Sequence, residues 1–142
     1  MIYVGYQGIG KSSISGKNNC IDLESGNFWI DDKRIEDWYK IYVNIAEHLS
    51  SQGYKVFMSS HKVIREELTN RGIEFTAICP SLKLKEQWVN RLQERFNKTR
   101  STKDFKALKN AEEMYEENIK DLASERKTII ITTIDYDLND LI

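Results

Sequence analysis

Proline occurs once in these 142 residues, at Pro80, and cysteine twice, at Cys20 and Cys79. With one proline and no Pro/Ser-rich tract, nothing marks a linker, and the chain reads as a single domain over residues 1–142. Both cysteines sit in apolar, strand-like runs. Buried thiols fit them better than a disulfide, a metal site would need more ligands, and a reducing cytoplasm follows. No apolar stretch approaches the roughly 20 residues of a membrane span, which excludes a membrane partner of the helical kind. The chain opens on a strand-like run, which predicts no targeting segment. Neither sign of charge dominates: 21 Lys and Arg stand against 22 Asp and Glu, a net charge of −1. That balance argues against a general nucleic-acid binder, which is usually basic. A homodimer is compatible with the composition.

What is present is an alternation of strand and helix patterns. Met1–Val4 and Cys20–Leu23 read as strands. Helical spacing follows in Trp38, Ile41, Tyr42, Ile45 and Leu49, and Gly53 stops it. Tyr54–Met58 is the third strand, and Val63, Ile64 and Leu68 mark a short helix closed by Gly72. Ile73–Cys79 is the fourth strand. Leu84, Trp88, Leu92 and Phe96 recur every four residues on a helix, and a longer charged helix runs from Asp104 to Ser124. Thr128–Thr132 is a last strand. Apolar strands separated by helices predict a parallel, doubly wound α/β sheet of five strands with helices on both faces. Ligands of such sheets bind beyond the carboxyl ends of the strands.

One segment at such an end carries a specific pattern. Gly5-Tyr-Gln-Gly-Ile-Gly-Lys-Ser12 fits G-x-x-x-x-G-K-[ST], the phosphate-cradling P-loop, and it has the required flanks: a strand before it and a helical turn, Ser12–Gly16, after it. Its glycines permit backbone conformations closed to other residues, so that successive amides can face phosphate oxygens. The donor-phosphate set is then Gly8, Ile9, Gly10, Lys11, Ser12 and Ser13. Lys11 can reach the outer phosphates and the Ser12 hydroxyl can ligate magnesium.

Other residues on the same rim can carry chemistry. Asp22 and Glu24 close the second strand; one suits water-mediated magnesium binding, the other a substrate hydroxyl, with Ser25 beside them. Ser59 and Ser60 end the third strand, where P-loop enzymes often carry a carboxylate. His61 follows as a loop histidine. Arg65 lies one turn into the next helix, within reach of an acceptor phosphate. Arg91 and Arg95, four apart, share a helix face and present donors suited to a transferring phosphoryl group. Phe28 and Trp29 belong to an aromatic group with Trp38, Tyr39 and Tyr42, and can border an acceptor pocket.

Together these motifs resemble the P-loop small-molecule kinases of the nucleoside monophosphate kinase type. The arrangement is most similar to the gluconate, shikimate and adenylylsulfate kinase branch and to short phage-encoded deoxynucleotide kinases. The resemblance implies a three-layer P-loop NTPase fold with strand order 2-3-1-4-5 and a lid-like helical segment over about residues 81–101. It also implies magnesium-dependent transfer of the ATP γ-phosphoryl group to a small, nucleotide-like acceptor. Lys11, Asp22, Arg91 and Arg95 would be catalytic, Ser12 and Asp22 would hold the metal, and Glu24, Ser25 and Arg65 would bind the acceptor. Thr132–Asp135 would cradle adenine. The alternative is a nucleotide-binding regulatory or interaction protein that has the loop but phosphorylates no small molecule.

Overall fold

The computed structural model describes all residues, 1–142. Five parallel strands form the main sheet: β1 (Ile2–Gly5), β2 (Cys20–Asp22), β5 (Lys55–Ser59), β6 (Thr76–Pro80) and β7 (Thr128–Ile131). Their order is β2-β5-β1-β6-β7. It differs in numbering from the expected 2-3-1-4-5 because a separate antiparallel hairpin, β3 (Trp29–Ile30) and β4 (Lys33–Arg34), intervenes in the chain. The central strand β1 is buried along its whole length, as are Val56, Phe57 and Met58 of β5, so both faces of the sheet are covered. Period-2 alternation is absent for that reason.

The helices are α1 (Lys11–Ile14), α2 (Trp38–Ser51), α3 (Lys62–Asn70), α4 (Lys85–Thr99), α5 (Thr102–Ala123) and α6 (Leu138–Leu141). α1 lasts a single turn. Gly16, Asn18 and Asn19 take positive φ directly after it, and the chain turns back into β2 through Gly16 N–H donating to Cys20 O at 2.8 Å. α5 starts where Ser101 caps the Asp104 amide at 3.1 Å. No helix is long and apolar enough to cross a membrane. Cys20 and Cys79 are free and buried.

Sequence periodicity did not announce the hairpin or α6. The turn of the hairpin, Asp31-Asp32, has both residues at positive φ (48° and 64°). That is the geometry of a tight two-residue connection, built here without the glycine that usually signals it. Strand register then fixes the rim that carries the Gly5–Ser12 loop: Gly5 at the end of β1 lies beside Ser59 at the end of β5, and β2 closes at Asp22 one strand further out.

Candidate functional site

The Gly5–Ser12 loop has a distinct polarity. On its carbonyl side every oxygen from Gln7 to Ile9 is held by a side chain from elsewhere. Trp88 Nε1 donates to Gln7 O at 2.8 Å, Arg91 Nη1 to Gly8 O at 3.2 Å, and the Tyr136 hydroxyl to Ile9 O at 2.7 Å. On its amide side the groups are free. Tyr6 N–H donates to Ile78 O and Ser13 N–H to Gly10 O, but the amides from Gln7 to Ser12 donate to no protein atom. Backbone donors seek partners, and a run of them left open can receive an anion. Gly8 and Gly10 produce the run by standing at φ 87° and 103°. A β-carbon on Gly8 would lie 3.1 Å from Trp88 Nε1 and Leu92, whereas nothing lies within 4 Å of one on Gly10, so the space above Gly10 is open.

Lys11 turns back along the loop, its Nζ donating to Gly5 O at 3.2 Å. Burial lowers its pKa; Asp22 and Glu24 draw it back up, and Lys103 and Arg95 press it down again. These five charged groups therefore form one electrostatic cluster around the loop. Asp22 and Lys11 feel each other without a contact ion pair. Burial pushes the Asp22 carboxyl up to about 6, Lys11 opposes the shift, and Glu24 adds to it by charge and by hydrogen bond. For Glu24 burial acts upward too, but the Lys103 ammonium, 2.8 Å away, outweighs it and leaves Glu24 below its ordinary value.

The other expected residues separate into distinct fates. Ser12 and Ser13 are exposed on the turn after the loop, while the Ile9 side chain is buried and offers only its backbone. Arg91 is committed: besides Gly8 O it bonds Ile134 O at 3.0 Å and the Tyr136 hydroxyl at 2.9 Å, with its guanidinium 4.5 Å from the Trp88 ring. It shapes the loop rather than standing free to clamp a phosphate. Arg95 pairs with Asp104 at 3.2 Å but keeps its side chain 38% exposed within the Lys11 cluster. Arg65 departs most from expectation. It is buried, bonding Ser60 O at 3.0 Å, Glu125 at 3.0 Å and Asp121 at 2.5 Å, so it ties α3 to the end of α5 and has no place in an acceptor site.

Ser59 neither caps α3 nor meets Lys11; its hydroxyl pairs with that of Ser25 at 2.9 Å. Tyr42 bonds Leu23 O and receives the Ser59 amide at 3.0 Å, which ties the ends of β2 and β5 together. No carboxylate stands at the end of β5, and no trio of His, Cys, Asp and Glu side chains is gathered to hold a metal. The α4 segment expected to act as a lid is docked, with Trp88 and Leu92 fully buried.

Sequence reasoning missed four participants. Trp88 announced itself only as a core residue, although its indole N–H also holds the loop. Tyr136 and Lys103 carried no local signal, since each acts across more than 75 positions of chain. Arg34, hidden with the hairpin, donates to Ser25 O, whose side chain meets Ser59 at the end of β5. A cleft of about 470 Å³ opens beside the loop, between Gly10, Ser13 and Lys17 on one side and Tyr136, Asp137 and Asn139 on the other. No protein family, curated protein or solved structure matches this chain, so its chemistry is argued from the site itself.

Proposed function

We propose that this chain is a P-loop phosphotransferase that moves the γ-phosphoryl group of ATP to a small, nucleotide-like acceptor. The observation that carries the reading is the polarity of the loop: carbonyls tied back by Trp88, Arg91 and Tyr136, amides from Gln7 to Ser12 left open. A parallel sheet with the loop following its central strand supports a three-layer P-loop NTPase fold.

In this reading the open amides and Lys11 grip the donor phosphates, and the cleft beside Tyr136 receives the nucleoside. The residues fit magnesium in a limited way: the Ser12 hydroxyl and, through water, Asp22 would hold it, and bound there it would draw charge from the donor oxygens. An acceptor oxygen attacks the γ-phosphorus and the bond to the bridging oxygen breaks, releasing ADP. Lys11 and Arg95 stand where negative charge spreads during that exchange. Asp22, mostly ionised at neutral pH, orients the acceptor or a metal-bound water. Glu24 is held by Lys103 and keeps Asp22 from ionising at lower pH.

The missing carboxylate at Ser59 and Ser60 favours a second reading, a nucleotide-binding protein without small-molecule turnover. Acceptor-dependent ADP release from magnesium-ATP decides between them. The phosphotransferase reading expects release that requires both an acceptor and Lys11. Saturable ATP binding with no release across deoxynucleoside monophosphates, nucleosides and small hydroxy acids would leave only the second reading.

A further inference from the structure

Arg34, in β4, is half-buried, yet no carboxylate lies within ion-pair distance of it. It contrasts with Arg65, Arg71 and Arg95, which all have carboxylate partners. Its one hydrogen bond goes from Nη1 to Ser25 O, which leaves the remaining guanidinium donors unused. The guanidinium is centred 4.0 Å from the Trp38 ring and 4.8 Å from the Trp29 ring. A second cation without a carboxylate, Lys106 of α5, comes to 5.3 Å from the same Trp29 ring. Two like charges gathered on one aromatic ring repel, and a bound anion between or beside them removes that cost.

This group is joined to the donor loop by a continuous set of contacts. Arg34 bonds Ser25, Ser25 bonds Ser59, Ser59 is paired in register with Gly5, and Gly5 O accepts Lys11. His61, edge-on to Trp38 at 5.7 Å, lies in the field of both Arg34 and Lys11; burial of its ring and then those two cations lower its pKa. Trp29 itself is 45% exposed, beside a cation that has no carboxylate partner.

We propose that the β3–β4 hairpin is the acceptor-reading element: Arg34, aided by Lys106, binds the phosphate of a nucleoside monophosphate whose base stacks on Trp29. This deepens the phosphotransferase reading and rests on it for the label of acceptor, but the binding site stands on its own geometry. A planar guanidinium fork matches a phosphate, and an exposed indole accepts any base. It also replaces Arg65, all three of whose guanidinium nitrogens already bond within the protein.

Calorimetric titration of the full chain tests it, using the four deoxynucleoside monophosphates, their nucleosides and inorganic phosphate as probes, and magnesium-ATP in a separate cell. At least one monophosphate is expected to bind at least about 30-fold tighter than its nucleoside, consistent with charge-assisted bonds to the phosphate. Arg34→Ala and Arg34→Gln should each weaken it about 10- to 100-fold and leave ATP affinity within about threefold, and Trp29→Ala should weaken it about 10-fold. Lys11→Ala should do the reverse, losing ATP and keeping the monophosphate. Monophosphate binding that ignores Arg34, nucleosides that bind as well as monophosphates, or no monophosphate binding by the wild type would overturn the inference. Loss of ATP binding in the wild type would instead sink the donor reading, while the monophosphate titrations still report on the hairpin. Arg34→Gln keeps the side chain's length over Trp38 if the alanine variant does not fold, and the comparison of monophosphate with nucleoside needs no variant.

Discussion

Trp88 donates its indole N–H to the Gln7 carbonyl at 2.8 Å, so a fully buried residue of α4 sets the direction of a peptide plane in the glycine loop. The same ring lies 3.1 Å from where a β-carbon on Gly8 would stand. Core and site are therefore one structure here. Trp88→Phe keeps an aromatic in the core but removes the donor. It should cost about 1–3 kcal/mol of stability and weaken ATP about 5- to 30-fold, as read by thermal melts and calorimetry. Unchanged ATP affinity in a destabilised variant would show that the loop keeps its polarity without this bond.

The glycines separate strain from occupancy. Gly10 and Gly16 both have positive φ and open space around them, at 103° and 82°. Alanine at either should cost about 1 kcal/mol of stability through backbone strain. Of the two, only Gly10 lies within the run of open amides, so Gly10→Ala alone should weaken ATP binding, by at least about tenfold.

Asp22 makes a pH prediction whose sign is fixed. Its folded pKa of about 6 lies above its ordinary value of 3.8. The folded state then holds more protons than the unfolded one between those values, so this group's contribution to stability grows as pH falls through 6 and is complete below about 4. Asp22→Asn should therefore melt higher than wild type at pH 8, by about 1–2 kcal/mol after allowance for solvent screening, and lose that advantage near pH 4. A carboxyl-carbon NMR titration of the wild type should place the midpoint near 6, and Glu24→Gln should move it down, because Glu24 raises it by charge and hydrogen bond.

Arg65 should behave as a structural residue. Arg65→Met removes the tie between α3 and α5 and strands Ser60 O, at a cost of about 1–3 kcal/mol, since Asp121 remains partly solvated. Folded Arg65→Met should keep its affinity for ATP and for any monophosphate that binds the wild type. A selective loss of the monophosphate would return Arg65 to the acceptor site.

Much of the sheet was legible because its signals are local. Apolar strands ending at Gly5, Asp22 and Ser59 and helices with clear four-residue spacing need no tertiary information. The glycine pattern marked the Gly5–Ser12 loop for the same reason. What stayed hidden depends on distant partners or on unusual turn chemistry. Asp31-Asp32 makes a tight turn without glycine, which concealed the hairpin and with it Arg34. Arg65 looked free because Asp121 and Glu125 lie more than 50 residues away. Arg91 looked like a clamp because its three acceptors, Gly8 O, Ile134 O and the Tyr136 hydroxyl, come from two other parts of the chain.

The most direct measurement is a ¹⁵N–¹H spectrum of the wild type titrated with magnesium and a non-hydrolysable ATP analogue. The amides from Gln7 to Ser12, which have no protein acceptor, should shift strongly and saturate together, while Tyr6 and Ser13, already bonded, should move less. If those loop amides stay where they are at saturating nucleotide, or if no saturation occurs, the loop does not grip a triphosphate.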